Sequence, residues 1–215
     1  MSNFKNDLLA EQELGKYLDK YFYPRLGVIS NVCRITEKNE QYLGVDLSAV
    51  ISGNSILIDE KGYLSIPNIG KTFVLELSYF NKEKKLKVGW LFDESKKTTH
   101  YLFCWNKRNE EIKHSEVKEK DFHYIMAMLV DRQKLLKYLK DTYGVSKETA
   151  RFKVQEIIEK NKFGSLETLN ENTKSKFYYT KDRVEKPINI VMRKEELAKI
   201  CEGHYLVKRT ELKKV

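Results

Sequence analysis

The sequence predicts an α+β fold: a mixed sheet built on an antiparallel meander and flanked by helices. Three observations carry this reading. The N-terminal segment has apolar side chains at helical spacing, residues 27–106 form a succession of short β-rich runs, and two helical segments follow residue 130. A chain of 215 residues holds one sizeable core, or a core with a small appendage. Its content of 41% hydrophobic and 12% aromatic residues is too apolar for a disordered chain.

Residues 4–22, FKNDLLAEQELGKYLDKYF, read as a first helix that ends before Pro24. Phe4, Leu8, Glu11, Gly15, Leu18 and Phe22 recur every three or four positions and share a face. That spacing places the carboxylate of Glu11 on a stripe otherwise suited to packing. The runs GVISNVCRIT, QYLGVDLSAVI and SILIDEKGYL follow, separated by EKNE and SGN as turns, and then KTFVLELSYF, LKVGWLF and THYLFCW. Residues 107–120 are dense in charge and read as an exposed loop. FHYIMAMLV is apolar enough to be a buried strand. Residues 131–143 and 146–160 then read as two helices joined through Gly144 and Val145, with Asp131 and Ser146 as N-caps. The tail carries FYYT, a strand PINIVMR and a short helix KEELAKIC. The expected division is a core over 1–106, a charged loop over 107–120 and a basic, mainly helical α+β extension over 121–215 that packs on the core.

The net charge of +9 is uneven. Residues 1–106 hold 14 basic and 13 acidic side chains, and residues 107–215 hold 26 and 18. A basic half of this kind suits a polyanion such as nucleic acid, because each neutralised phosphate releases counterions. Cys33, Cys104 and Cys201 form none of the paired spacings of a zinc site or a disulfide framework and read as core residues in a reducing compartment. No apolar run has the length of a signal peptide or a membrane span, so the expected location is cytoplasmic.

Chemistry is concentrated on two adjacent strands. QYLGVDLSAVI delivers Asp46, and after the SGN turn SILIDEKG delivers Asp59 and Lys61. Side chains alternate along a strand, so Asp59 and Lys61 share a face from which Glu60 points away. Asp46 lies between Val45 and Leu47, and Asp59 follows Ile56, Leu57 and Ile58, so both acids sit at the edge of apolar surroundings where an unpaired charge is costly. Two carboxylates and an ammonium presented together suit a hard divalent cation and a phosphate.

This arrangement resembles the PD-(D/E)xK nuclease superfamily, whose shared core is a helix followed by a strand meander carrying an Asp and then Asp or Glu, any residue, and Lys. The matching residues are Asp46 in GVD and Asp59, Glu60 and Lys61 in IDEK, and the resemblance spans roughly residues 4–106. It implies an α/β three-layer core and an endonuclease, restriction-type among the options, that hydrolyses DNA with Mg²⁺ or Mn²⁺. Asp46 and Asp59 would hold the metal, Lys61 would assist the attacking water, and Glu11 would be the further acid from the first helix. Glu76, in FVLELS, is a candidate auxiliary acid. The resemblance also allows a homodimer, since many such enzymes cut two strands as dimers.

The helical pair LLKYLKDTYGVSKETARFKVQEII resembles a helix-turn-helix, which would expose Lys147, Thr149, Arg151 and Lys153 to DNA. A plain helical hairpin with solvated charges produces the same pattern. Thr98, Thr99 and Tyr101 open a later strand where phosphate contacts are feasible, and Trp90, Trp105, Tyr178 and Tyr179 read as core before base-stacking groups. His100, His114, His123 and His204 have no metal-ligand spacing, which disfavours a histidine-metal nuclease. The competing expectation is a non-catalytic nucleic-acid-binding protein on a nuclease-like scaffold.

Overall fold

A computed structural model describes residues 3–215, with side chains from Asp7 onward except Lys38. The fold is α+β, as expected. It divides into two compact units: Met1–Gly70, Lys97–Arg132 and Cys201–Val215 form one, and Lys71–Lys96 and Gln133–Ile200 form the other. The division is therefore not the expected cut at residue 106, because the chain leaves the first unit and returns to it twice.

The first unit opens with helix α1 (Asn3–Tyr21) and continues through strands β1 (Ile29–Arg34), β2 (Leu47–Ile51) and β3 (Asn54–Tyr63), with a short helix α2 (Lys38–Tyr42) where EKNE reads as a turn. Strands β1, β2 and β3 are the antiparallel meander. Between β2 and β3, Ile51 pairs with Asn54, and Ser52 (φ 49°) and Gly53 (φ 81°) are both left-handed. Two positive φ values in a two-residue loop are what a twisted hairpin requires, and glycine takes the second without strain.

Beyond β3 the meander reading fails. Strand β4 (Thr72–Phe80), with β5 (Leu86–Val88), leaves for another sheet, and β6 (His100–Arg108) returns to pair with β3 in parallel. Parallel neighbours need a long crossover. Residues 64–99 supply one, and much of it, Lys71–Lys96, is the first piece of the second unit. The Trp90-Leu91-Phe92 end of the expected strand LKVGWLF is a turn and not part of β5. Strands β7 (Phe122–Asp131), β11 (Gly203–Lys208) and β12 (Leu212–Lys214) complete a seven-stranded sheet of order β1-β2-β3-β6-β7-β11-β12.

Helix α1 packs on this sheet through Ala10, Leu14, Tyr17 and Leu18, with Phe22 just beyond it, against Leu47, Ile58, Leu102, Cys104, Ala127 and Val207. This stripe corrects the expected one. Leu8 is 45% exposed and Glu11 is exposed, so Glu11 flanks the packing face and does not lie in it, and the Phe4 side chain lies outside the described residues. Gly15 does face inward, where a Cβ would stand 3.2 Å from the Arg34 guanidinium and 3.4 Å from the Glu60 carboxylate. Residues 107–120 are not an exposed linker either. Lys107 and Arg108 end β6, Val117 is buried, His114 Nε2 lies 2.7 Å from Asp7 Oδ1, and the Glu119 amide donates to Glu13 (2.8 Å), which ties the segment to α1. Of the cysteines, Cys104 is buried but Cys33 is exposed on edge strand β1.

The second unit holds α3 (Arg132–Tyr143, whose first residue closes the other unit), α4 (Lys147–Lys160) and α5 (Lys194–Ile200). Its five-stranded antiparallel sheet has the order β5-β4-β10-β9-β8, with β8 (Gly164–Thr168), β9 (Lys176–Tyr179) and β10 (Ile188–Arg193). Residues 121–215 thus contain six strands beside three helices and are not mainly helical. Ser146 caps α4 as expected, whereas Asp131 is the last residue of β7. Fully buried Glu196 accepts hydrogen bonds from the hydroxyls of Tyr143 (2.6 Å), Ser175 (2.8 Å) and Thr173 and from the Asn170 amide (2.8 Å). Among the described residues no helix is long and apolar enough to cross a membrane.

Candidate active site

The site forms where the β2–β3 pairing runs out. Asp46 precedes β2, yet its amide donates to Ile58 O (2.9 Å) and its carbonyl accepts from the Ile35 amide (2.8 Å), so the residue is held in the sheet from both sides. Continuing the Leu47↔Ile58 register by one residue sets Asp46 opposite Asp59. Like charges directly opposite on antiparallel strands repel. Here the Asp59 carboxyl acts directly on that of Asp46, whose Oδ2 also accepts from the Glu60 amide at 2.8 Å.

Asp59 is 5% exposed and Asp46 is partly buried. Desolvation first, and the charge of Asp59 second, push Asp46 up to about 6, with the Glu60 amide and Lys61 opposing. Lys61 Nζ lies 2.8 Å from Asp59 Oδ2. Burial works against the ammonium, but Asp59, Glu11 and Asp46 outweigh it and hold Lys61 above the ordinary lysine range. Lys61 is a fixed cation and not a proton acceptor at neutral pH.

Glu11 joins this group through its field. Its residue surface is exposed, yet its carboxyl lies among enough protein for desolvation to push it up to about 7, with Asp46, Asp59 and Asp7 adding and Lys61 opposing. Water over the exposed side tempers that shift. The four residues named from the sequence, Glu11, Asp46, Asp59 and Lys61, are thus brought together by α1, β2 and β3.

Two more residues border them. The parallel register sets Tyr101 beside Asp59 and Phe103 beside Lys61, and the two rings stack at 5.6 Å. Burial pushes the Tyr101 hydroxyl up to about 12, although it accepts a hydrogen bond from Arg132, so at neutral pH it stays protonated. Sequence reasoning placed Tyr101 only by its position on a strand, and it missed Arg132. Thr98 and Thr99 serve the fold: the Thr98 hydroxyl donates to Gly44 O (2.5 Å), and Thr99 Oγ1 accepts from the Leu57 amide (2.8 Å).

Glu60 points to the opposite face, as alternation requires. It is bound by Arg34 through both carboxylate oxygens (2.9 Å each) and by the Tyr23 hydroxyl (2.5 Å), and Arg34 in turn grips Asp19 twice at 2.7 Å. This is a structural clamp behind the site. Glu76 is corrected outright: it lies on β4, in the sheet of the second unit, not on the strands that carry Asp46 and Asp59.

The basic residues of α4 are only partly available. Thr149 completes a capping box, its hydroxyl accepting from the Ser146 amide (2.8 Å) and donating to Gly144 O (2.7 Å), which removes it from any reading set. Lys147 pairs with Glu94 at 2.5 Å, and Lys153 pairs with Glu156 (3.0 Å) and Glu167. Arg151 is exposed, and beside it Phe152 is 76% exposed.

No family model matches the chain, and no solved structure matches it. A Methanosarcina acetivorans protein named "Putative ABC transporter ATP-binding protein" is 35% identical over 106 residues, 47% of this chain. The chain spans 37% of that relative's length, so the likeness is partial and shows no family.

A stability consequence follows for the metal-free protein. The folded pKa of Asp46, about 6, stands above its ordinary 3.8, so between those values the folded state holds the extra proton. The contribution of Asp46 to stability is therefore greatest below about pH 4, falls as pH rises to about 6 and stays lowered above it. Asp46→Asn keeps the acceptor for the Glu60 amide and removes the charge. In EDTA at pH 8 it is expected to raise stability by about 1–2 kcal/mol, discounted for partial exposure and equal to a few degrees in Tm. At pH 4 the gain should vanish, and equal Tm values for variant and wild type at both pH values would show that Asp46 is not repelled.

Proposed function

We infer that the chain is a divalent-metal-dependent phosphodiesterase acting on DNA, an endonuclease of the PD-(D/E)xK kind. The observation that carries this reading is the Asp46–Asp59 pair: two carboxyls set opposite each other where the β2–β3 pairing ends, with a lysine ammonium 2.8 Å from one of them. Folding forces the repulsion between them, and a dication relieves it. The donor set is all oxygen, which suits Mg²⁺ or Mn²⁺, and Asp46, Asp59 and Glu11 would hold the ion. When bound, the metal supplies an acidified water and neutralises charge on the phosphoryl oxygens. The residues themselves divide the remaining work. Lys61 sets a permanent positive charge beside the position where the phosphate becomes pentacoordinate. Glu11 would add a third carboxylate, from α1, to the oxygen set around the ion. Tyr101 and Arg132 offer an uncharged hydroxyl and a guanidinium next to Asp59.

The relative's name suggests a nucleotide-binding alternative, and the residues favour it less. Gly70-Lys71-Thr72 has the closing letters of a phosphate loop, but Ser65 stands where such a loop opens on glycine, and Thr72 begins strand β4 where a helix N-terminus is needed. DNA as partner rests on the basic second half and on Arg151 and Phe152 of α4. Arg151→Glu is expected to weaken binding to a DNA duplex several-fold and to reduce the slope of log K against log[salt] by about 1. An unchanged slope in a salt titration by fluorescence anisotropy would remove α4 from the interface.

Supercoiled plasmid incubated with Mg²⁺, Mn²⁺ or EDTA tests the activity. Metal-dependent nicking or linearisation is expected. Salt-sensitive binding without cleavage under either metal points instead to a non-catalytic nucleic-acid-binding protein, and no binding at low salt discards both readings.

A further inference from the structure

A second constellation lies at the end of strands β6, β7 and β11, and the histidine spacing in the sequence conceals it. His100, which opens β6, is paired in register with Asp131, the last residue of β7, and Glu202 immediately precedes β11. His100 Nε2 stands 3.3 Å from Glu202 Oε2 and 3.8 Å from Asp131 Oδ2, and the three donor atoms all lie within 4.8 Å of one another. The backbones beneath them are hydrogen-bonded: the Glu202 amide donates to Leu129 O (2.8 Å) and the Arg132 amide to Thr99 O (2.8 Å). The donors are held in place by the sheet and need no flexible loop to come together.

The other ring nitrogen explains the orientation. His100 Nδ1 lies 2.9 Å from Thr99 Oγ1, whose own proton has Leu57 O as acceptor at 3.2 Å. That contact turns the Nε2 edge of the ring toward the two carboxylates. An imidazole nitrogen and two carboxylate oxygens that converge in this way form a donor set that a cation can bridge. The imidazole is 9% exposed, while the Asp131 and Glu202 side chains are 26% and 30% exposed, so the carboxylates open to solvent and leave a path for an ion and its water.

We propose that His100, Asp131 and Glu202 bind a first-row divalent transition metal, of the Zn²⁺ or Mn²⁺ class, that clamps the ends of these three strands. One imidazole nitrogen with two carboxylate oxygens suits such an ion better than Mg²⁺ or Ca²⁺, which favour all-oxygen sets. Two negative charges match one dication, and the three protein ligands leave room for water. The site does not depend on the nuclease reading. His100 lies on the opposite sheet face from Tyr101, and none of its donors belongs to the Glu11, Asp46, Asp59 and Lys61 group.

The test uses the full chain carrying Asp46→Asn and Asp59→Asn, so that the acid pair does not take up metal. After EDTA treatment and dialysis, ZnCl₂ is followed by equilibrium dialysis and MnCl₂ by electron paramagnetic resonance. One equivalent of metal is expected, with nitrogen coupling from the imidazole in the Mn²⁺ spectrum and a rise in Tm. His100→Gln should abolish the nitrogen coupling and weaken binding at least tenfold. Glu202→Gln, at a more exposed position that a fold-neutral change tolerates, should weaken it similarly with circular dichroism unchanged. No uptake by the parent, or equal uptake by parent and Glu202→Gln, overturns the proposal, leaving the histidine as an ion-paired group. Neither result bears on whether the chain cuts DNA.

Discussion

Asp59→Ala is expected to lower Mg²⁺-dependent plasmid cleavage by about 10³-fold or more, the scale of losing a group that organises charge at a reacting phosphate. Asp59 is almost fully buried and paired with Lys61, so its removal would take away a proposed metal ligand and one counter-charge of the Lys61 ammonium at once. Asp59→Asn separates the two effects, because it keeps the shape and should lose activity to the same extent while folding normally. Lys61→Met completes the set. It should leave metal-dependent stabilisation in place and still lose cleavage, since the lysine contributes charge and not ligation. Cleavage by Asp59→Asn at the wild-type rate, measured on supercoiled plasmid with thermal unfolding as the folding control, would remove the assignment.

The second large effect is on stability and lies behind the site. Arg34 binds both oxygens of Glu60 and both oxygens of Asp19, and Glu60 is 9% exposed. Arg34→Ala leaves the Glu60 carboxylate with the Tyr23 hydroxyl and no counter-charge. A loss of about 3–5 kcal/mol is expected in urea unfolding at pH 7, the cost of orphaning one member of a buried pair. Desolvation already pushes Glu60 above its ordinary range, with Arg34 opposing, so without Arg34 the carboxyl rises further. The folded form then holds a proton that the unfolded form releases, and the deficit should shrink as pH falls toward 4. Arg34→Met combined with Glu60→Gln should recover most of the loss, because it removes both charges and retains bulk against Gly15.

What was legible in the sequence was local. The β2–β3 hairpin follows from two apolar alternating runs about a Ser-Gly turn, and period-two alternation alone separates Asp59 and Lys61 from Glu60. Ser146 announces α4 because a cap is a contact within four residues. The first helix was readable as a helix but not as to which face packs. A stripe through Phe4, Leu8 and Glu11 and one through Ala10, Leu14 and Tyr17 are both compatible with a 3.6-residue period, and only the sheet selects between them.

Non-local choices were not readable. KTFVLELSYF has the composition of a next meander strand, and nothing within it says that it joins β10 in another sheet while β6 returns alongside β3. That choice depends on pairing energies between segments more than a hundred residues apart, and with it went Glu76, a carboxylate on a strand of the right type in the wrong sheet. Arg132 and the grouping of His100 with Asp131 and Glu202 were hidden for the same reason, since the three donors come from widely separated parts of the chain. The sequence by itself determined the residue types at the β2–β3 edge and the side of the strand each one faces, because alternation and turn chemistry act over a few bonds. The tertiary structure alone decided that Asp46 is pressed against Asp59, that Lys61 is enclosed by acids, and that Tyr101 and Arg132 stand beside them. Burial and the fields of distant charges set those properties, and both exist only once the sheet has closed over them.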